Sequence, residues 1–111
     1  MKRLEDQLQI NCVTLFTLKY PKLVGLLFMV HNTPRNAIDG IRLKRMGMVR
    51  GVADLAFLYD GKSYYLEMKI KTGRQSKEQK EWEQLITSQG FQYVIIRSID
   101  EFLGFISSVV V

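Results

Sequence analysis

The chain is expected to fold as an α/β domain, with a mixed central β-sheet of about four strands flanked by helices. Three observations predict it. The apolar spacing alternates between helical and strand-like periods, in the order helix, strand, helix, hairpin, helix, strand, helix. An Asp60-Gly61 pair separates two alternating runs, and Asp-Gly tolerates the positive φ angles that a type I′ hairpin turn requires. Two capping-box patterns, Ser76-Lys-Glu-Gln79 and Ser98-Ile-Asp-Glu101, announce the later helices. At 111 residues the chain is long enough for one such domain, spanning residues 1–111, and too short for two.

Residues 3–19 read as the first helix, because Leu4, Leu8, Cys12 and Leu15 recur at helical spacing and Pro21 stops the run. Leu23 to Val30 is a short apolar run, expected as a buried strand. A polar loop through His31, Asn32, Pro34 and Arg35 leads to a second helix over 36–46, basic at its end and weakened by Gly40. Gly47 and Gly51 bracket a loop into the hairpin, whose strands run from Asp54 to Tyr59 and from Lys62 to Lys69. A loop over 71–75 precedes the Ser76 helix, which extends to about Ser88 and stops at Gly90. Phe91 to Arg97 is the last strand, and Ser98 opens the last helix.

Hairpin arithmetic brings the informative residues together. With Tyr59 opposite Lys62, Asp54 falls opposite Glu67, and Lys69 shares their face because side chains two apart on a strand point the same way. Leu55, Phe57 and Tyr59 then oppose Tyr64, Leu66, Met68 and Ile70 on a core-facing surface. Directly opposed carboxylates, with Cβ atoms about 5 Å apart, repel each other. A divalent cation between them, with Lys69 alongside, removes the conflict. The competing reading is a salt-bridged cluster on a solvated face.

The net charge is +5 and the pI near 9.5, a balance that favours an anionic partner such as nucleic acid. Basic residues crowd either side of the hairpin: Arg35, Arg42, Lys44, Arg45 and Arg50 before it, Lys71, Arg74, Lys77 and Lys80 after it. Cys12 and His31 are single copies of their types, so neither an internal disulfide nor a Cys- or His-based zinc site can form. The N-terminal residues lack the apolar stretch of a signal peptide, no run approaches a membrane span, and a cytoplasmic location is expected.

With its elements placed, the chain resembles the PD-(D/E)xK nuclease superfamily, with its restriction-endonuclease-like core, and within it the virus-type replication-repair nuclease (VRR-NUC) family of the stand-alone viral kind. The resemblance runs from Glu5 to about Phe102. It rests on Gly47, Gly51-Val-Ala-Asp54, Leu66-Glu-Met-Lys69, Gly73-Arg-Gln-Ser-Lys-Glu-Gln79, Trp82 and Gly90. Ala53 departs from the family, which usually has proline there, but that position shapes backbone and carries no chemistry. The resemblance implies Mg²⁺-dependent hydrolysis of DNA phosphodiesters, with Mn²⁺ a possible substitute. It implies metal ligation by Asp54, Glu67 and the carbonyl of Met68, with Glu5 bound through water or completing a second site. It implies Lys69 as the residue that orients the attacking water, and Gln79 as a polar residue close to the reaction. His31 and Asn32 match a loop that approaches DNA, and Arg45, Arg50, Lys71 and Arg74 are expected on phosphates.

The bland alternatives are specific. Gln79 is equally explained by the capping box, and Glu5 by the helix dipole's preference for acids in a first turn. Trp82 and Cys12 read as packing residues. The expected activity is a structure-selective endonuclease of the Holliday-junction-resolvase type, acting as a homodimer in a bacterial host cell infected by a virus. The apolar end from Phe102 to Val111 is a candidate dimer surface, unless it packs on its own core. The alternatives are a nuclease on duplex, flap or ends without junction preference, and a non-catalytic DNA-binding module.

Overall fold

The computed structural model describes residues 2–30 and 33–111. Four helices, α1 (Lys2–Lys19), α2 (Ala37–Arg45), α3 (Lys77–Ser88) and α4 (Ile99–Val109), surround four strands, β1 (Leu27–Met29), β2 (Leu55–Tyr59), β3 (Lys62–Met68) and β4 (Gln92–Ile96). The strands form one mixed sheet in the order β1-β2-β3-β4. β1–β2 and β2–β3 are antiparallel, and β3–β4 is parallel with α3 as the crossover. This is the expected α/β architecture with its four-stranded mixed sheet.

The hairpin has the predicted register, from Tyr59 opposite Lys62 to Leu55 opposite Leu66. Asp60 and Gly61 adopt φ angles of 51° and 76°, the left-handed pair that a type I′ turn demands. Even-numbered β3 residues and odd-numbered β2 residues face α1 and α4. There Leu55, Phe57, Leu66 and Met68 join Cys12, Phe16, Ile96, Phe102 and Ile106 in the main core. Burial pushes the Cys12 thiol up to about 11, which keeps it protonated and unreactive.

The opposite face of the sheet is only partly polar. Tyr65 packs edge-on to Trp82 of α3 and to Phe91, and Trp82 in turn meets Tyr93, with ring centroids 5.3–6.0 Å apart. Trp82 is therefore a packing residue, as its spacing suggests, and α3 roofs the far half of this face. Ser76 and Gln79 form the complete capping box at the start of α3, and Ser98 caps α4 by accepting the Glu101 amide.

Three expectations change. The apolar run before residue 31 is not a buried strand: a 3-10 turn takes Pro21–Leu23, and β1 is a three-residue edge strand in which only Leu27 is buried. Leu23 and Leu26 pack against the core, while Phe28 and Met29 are exposed on the edge strand. On α1 the buried stripe is Leu8, Cys12 and Phe16, while Leu4 is exposed, because the helix reaches the sheet only from its second turn onward. The C-terminal end is not a free apolar surface: Phe102 and Ile106 are fully buried and Leu103, Phe105, Val109 and Val110 pack beside them. Among the described residues, no helix is long and apolar enough to cross a membrane.

Candidate active site

The site forms where β2 and β3 separate. Beyond the Leu55–Leu66 pair the ladder ends, and the side chain of Asp54 replaces the missing strand: its Oδ2 accepts the Met68 amide at 2.7 Å. In an extended strand a residue's N–H and C=O point to the same edge, so the Met68 carbonyl shares the edge that Asp54 occupies. Asp54 itself is held by its own carbonyl, which accepts the Val30 amide at 2.9 Å from the β1 side.

Glu67 and Lys69 lie on the α3-facing side of β3 and are 1% and 8% exposed. Glu67 neighbours Ile95 on the parallel strand, which removes water from its flank. Neither oxygen of the Glu67 carboxylate accepts a hydrogen bond. Lys69 Nζ stands 3.6 Å from its Oε2, an ion pair too long to be a hydrogen bond. The Gln75 amide is nearby but donates to Glu83 at 2.8 Å instead. Burial raises the pKa of both Asp54 and Glu67. For Asp54 the Met68 amide opposes the rise, and for Glu67 the ammonium of Lys69 does so. Each carboxylate also raises the other or feels another acid, since Asp54 acts on Glu67 and Glu5 on Asp54. The bland reading of a solvated salt-bridge cluster does not describe these side chains, because Glu67 and Lys69 are out of water.

The loop before β2 closes the site. Gly51 has a φ of +84°, and a Cβ there would lie 2.3 Å from the Glu78 carbonyl oxygen. Only glycine lets this loop lie against the first turn of α3. The result is a cavity of about 250 Å³ lined by Arg50, Gly51, Asp54, Ser76, Glu78 and Gln79. Gln79 thus reaches the site while capping α3. Its Oε1 accepts the Ser76 amide at 2.8 Å, which leaves Nε2 as the group it offers to the cavity. Glu5, half-buried on α1, has its Oε2 3.4 Å from where a Cβ on Gly73 would sit, which places it against the loop that follows Lys69.

The basic residues divide. Arg50 lines the cavity with Asp54, and Lys71 and Arg74 are exposed on the loop that leaves Lys69. Arg45 is exposed on α2 and lines a separate hollow with Ile38, Ile41, Arg42 and Met46. His31 and Asn32 lie outside the described residues. Arg97 was given no role by the sequence reading. Its Nη1 donates to the carbonyls of Ile70 at 2.9 Å and Gly73 at 2.7 Å, and so pins the loop carrying Lys71 and Arg74. A lone cation closing the apolar run Val94-Ile-Ile-Arg97 was the available signal.

Among the described residues, no three His, Cys, Asp or Glu side chains cluster closely enough to hold an ion by themselves. A cation here would draw on two carboxylates, a main-chain carbonyl and water. That donor set suits Mg²⁺, which takes hard oxygen ligands and keeps several waters. The orphaned Glu67 carboxylate is the observation in favour of the fit.

No family model and no curated protein matches the sequence. Among solved structures, a VRR_NUC domain protein superposes with a TM-score of 0.75 at 22% identity, covering 96% of this chain and 87% of that one. At that identity the likeness speaks for the fold, and it coincides with the family that the glycine, Glu-x-Lys and Gln79 motifs point to. The chain therefore has the fold of a VRR_NUC domain, with its mixed four-stranded sheet flanked by helices.

Proposed function

We propose that residues 1–111 form one nuclease domain that hydrolyses DNA phosphodiester bonds with a divalent cation, selecting branched DNA as a Holliday-junction resolvase does. The reading is carried by one observation: a fully buried Glu67 carboxylate that accepts no hydrogen bond, with Lys69 at 3.6 Å, next in the chain to Met68, whose amide is held by Asp54 of the adjoining cavity. A buried carboxylate that accepts no hydrogen bond and has its one counter-charge 3.6 Å away is costly for a small domain, so its retention supports a further bound positive group.

Asp54, Glu67 and the Met68 carbonyl would hold Mg²⁺ or Mn²⁺. A cation bound there supplies charge neutralisation on the phosphate and a nucleophile at neutral pH. The chain's own groups do the remainder. Lys69, fixed by burial, presents its ammonium to the attacking water and to charge that develops on the phosphate. Gln79 offers Nε2 to a phosphate oxygen, and its two roles, cap and contact, use different atoms. Glu5 acts on Asp54 through space and through water. Arg45, Arg50, Lys71 and Arg74 contact phosphates on either side of the cut. Two symmetric cuts need two active sites, which a C₂ homodimer provides. Its interface would lie away from the core-facing side of α4.

The test is cleavage of a labelled four-way junction and a matched linear duplex with Mg²⁺, Mn²⁺ or EDTA. Paired symmetric cuts on the junction, abolished by EDTA, are expected. Metal-dependent cutting without junction preference would keep the nuclease and remove the resolvase. No cutting with any metal would sink the active-site assignment.

A further inference from the structure

The helix α2 is the least integrated element of the fold. It packs closely on no other helix or strand. Its charge is nonetheless ordered. Asn36 caps its first turn by accepting the Asp39 amide. Asp39 is buried, accepts the Arg35 amide at 3.0 Å and the Arg42 guanidinium at 2.9 Å, and is held down at about 2 by those two bonds. The helix is thus a formed structure, and its apolar side chains still face water: Ile38 is 81% exposed and Ile41 64%.

Between α2 and the 48–51 loop runs an open groove of about 790 Å³, within the range of about 300–1,000 Å³ typical of pockets for small organic groups. Ala37, Ile41, Met48 and Val49 supply its apolar wall, and Lys44 and Arg50 its charge. Arg50 and Gly51 line this groove and also the cavity that holds Asp54. The two hollows therefore adjoin the same backbone segment.

We propose that this groove receives an unstacked nucleotide of the DNA strand, one whose neighbouring phosphate lies at Asp54 and Glu67. The proposal rests on the nuclease reading above and deepens it by naming the DNA feature the enzyme selects. An apolar wall edged by cations suits a base ring joined to phosphates. In continuous duplex the ring faces are stacked and out of reach. A branch point, bulge or flap supplies an exposed ring without the cost of unstacking. A second copy of this chain is a poorer occupant. A two-fold interface sets the same patch against itself, and Arg35, Arg42, Lys44, Arg45 and Arg50 would face their own images with Asp39 already committed.

The test uses a short duplex with one extrahelical 2-aminopurine nucleotide and the same duplex fully paired, both titrated in EDTA so that binding is read without cutting. The bulged DNA is expected to bind at least about tenfold more tightly, with a change in 2-aminopurine emission as the ring enters the groove. Ile41→Ser and Val49→Ser, both at exposed positions, should reduce that preference to about threefold or less while paired-duplex affinity and melting temperature hold. Equal affinity for the two DNAs, with unchanged emission, would overturn the groove assignment whatever the cleavage assay shows. So would sedimentation showing a dimer that Ile41→Ser dissociates, since the groove would then be an interface between copies. A retained bulge preference in a protein that cuts nothing with any metal would support the groove and remove the nuclease.

Discussion

The end of the β2–β3 hairpin and the helix α2 are opposites in their physical chemistry. At the hairpin end, charge is buried: Glu67 and Lys69 are nearly inaccessible and Glu67 has no hydrogen-bond donor. On α2, charge is satisfied, with Asp39 tied to Arg35 and Arg42, and it is the apolar side chains that face water. Stability alone would favour the reverse in each place. The two meet at Arg50 and Gly51, which line the hollows on both sides. The DNA and cation proposed above would bind across both.

The largest expected effect tests the charged half. Glu67→Gln should lower metal-dependent DNA cleavage by at least about 10²-fold, because it removes a cation ligand and the field at the reacting phosphate. The same change should raise the melting temperature of the metal-free protein at neutral pH. The sign follows from linkage. The folded-state pKa of Glu67 lies above its unfolded value, so the native state holds the proton longer, and stability falls as pH rises from the ordinary glutamate value through the raised one. Glu67→Gln should flatten that fall, and added Mg²⁺ should offset it in the parent alone. A variant that melts lower at pH 7 than the parent would show that Glu67 is compensated and would break the contrast.

Next in size is the hinge between the halves. Gly51→Ala forces a Cβ to within 2.3 Å of the Glu78 carbonyl at a positive φ, so the loop must move off α3. A loss of about 3 kcal/mol in denaturant unfolding is expected, with cleavage and bulge binding lost together. If one function survived alone, the two hollows would not share a wall in the working protein.

Arg97→Ala should cost about 2 kcal/mol, the usual worth of hydrogen bonds from a charged group, by freeing the Ile70 and Gly73 carbonyls. DNA affinity should drop with it, because Lys71 and Arg74 ride on the freed loop. Arg97→Lys should recover part of the stability, since one ammonium cannot match the guanidinium's spread of donors. The smallest effect is expected on α2. Ile41→Ser should shift stability by less than about 0.5 kcal/mol, as for exposed positions generally, while changing DNA preference. A large loss of stability there would mean that Ile41 is a packing residue and would erase the contrast from the other side.

What the sequence by itself determined is local. A period of two, an Asp-Gly turn and a Ser-x-x-Gln box each act over a few residues, so the hairpin register from Tyr59–Lys62 to Leu55–Leu66 and the start of α3 were legible without coordinates. Of the residues proposed for the site, Asp54, Glu67 and Lys69 were singled out from that local pattern, and Gln79 from the family resemblance. Only the tertiary structure decided which of these charges are dry. Glu67 lies beside Ile95 of the parallel strand β4, and its burial depends on such contacts between residues far apart in the chain. The same holds for Phe16 joining Cys12 in the core while Leu4 stays exposed, for the reduction of an apolar run to the short edge strand β1, and for Arg97 reaching from the end of β4 to hold the loop after β3. Apolar spacing says that a face is suited to burial. Whether anything covers it is a property of the assembled fold, and among the described residues Ile38 and Ile41 of α2 stay exposed.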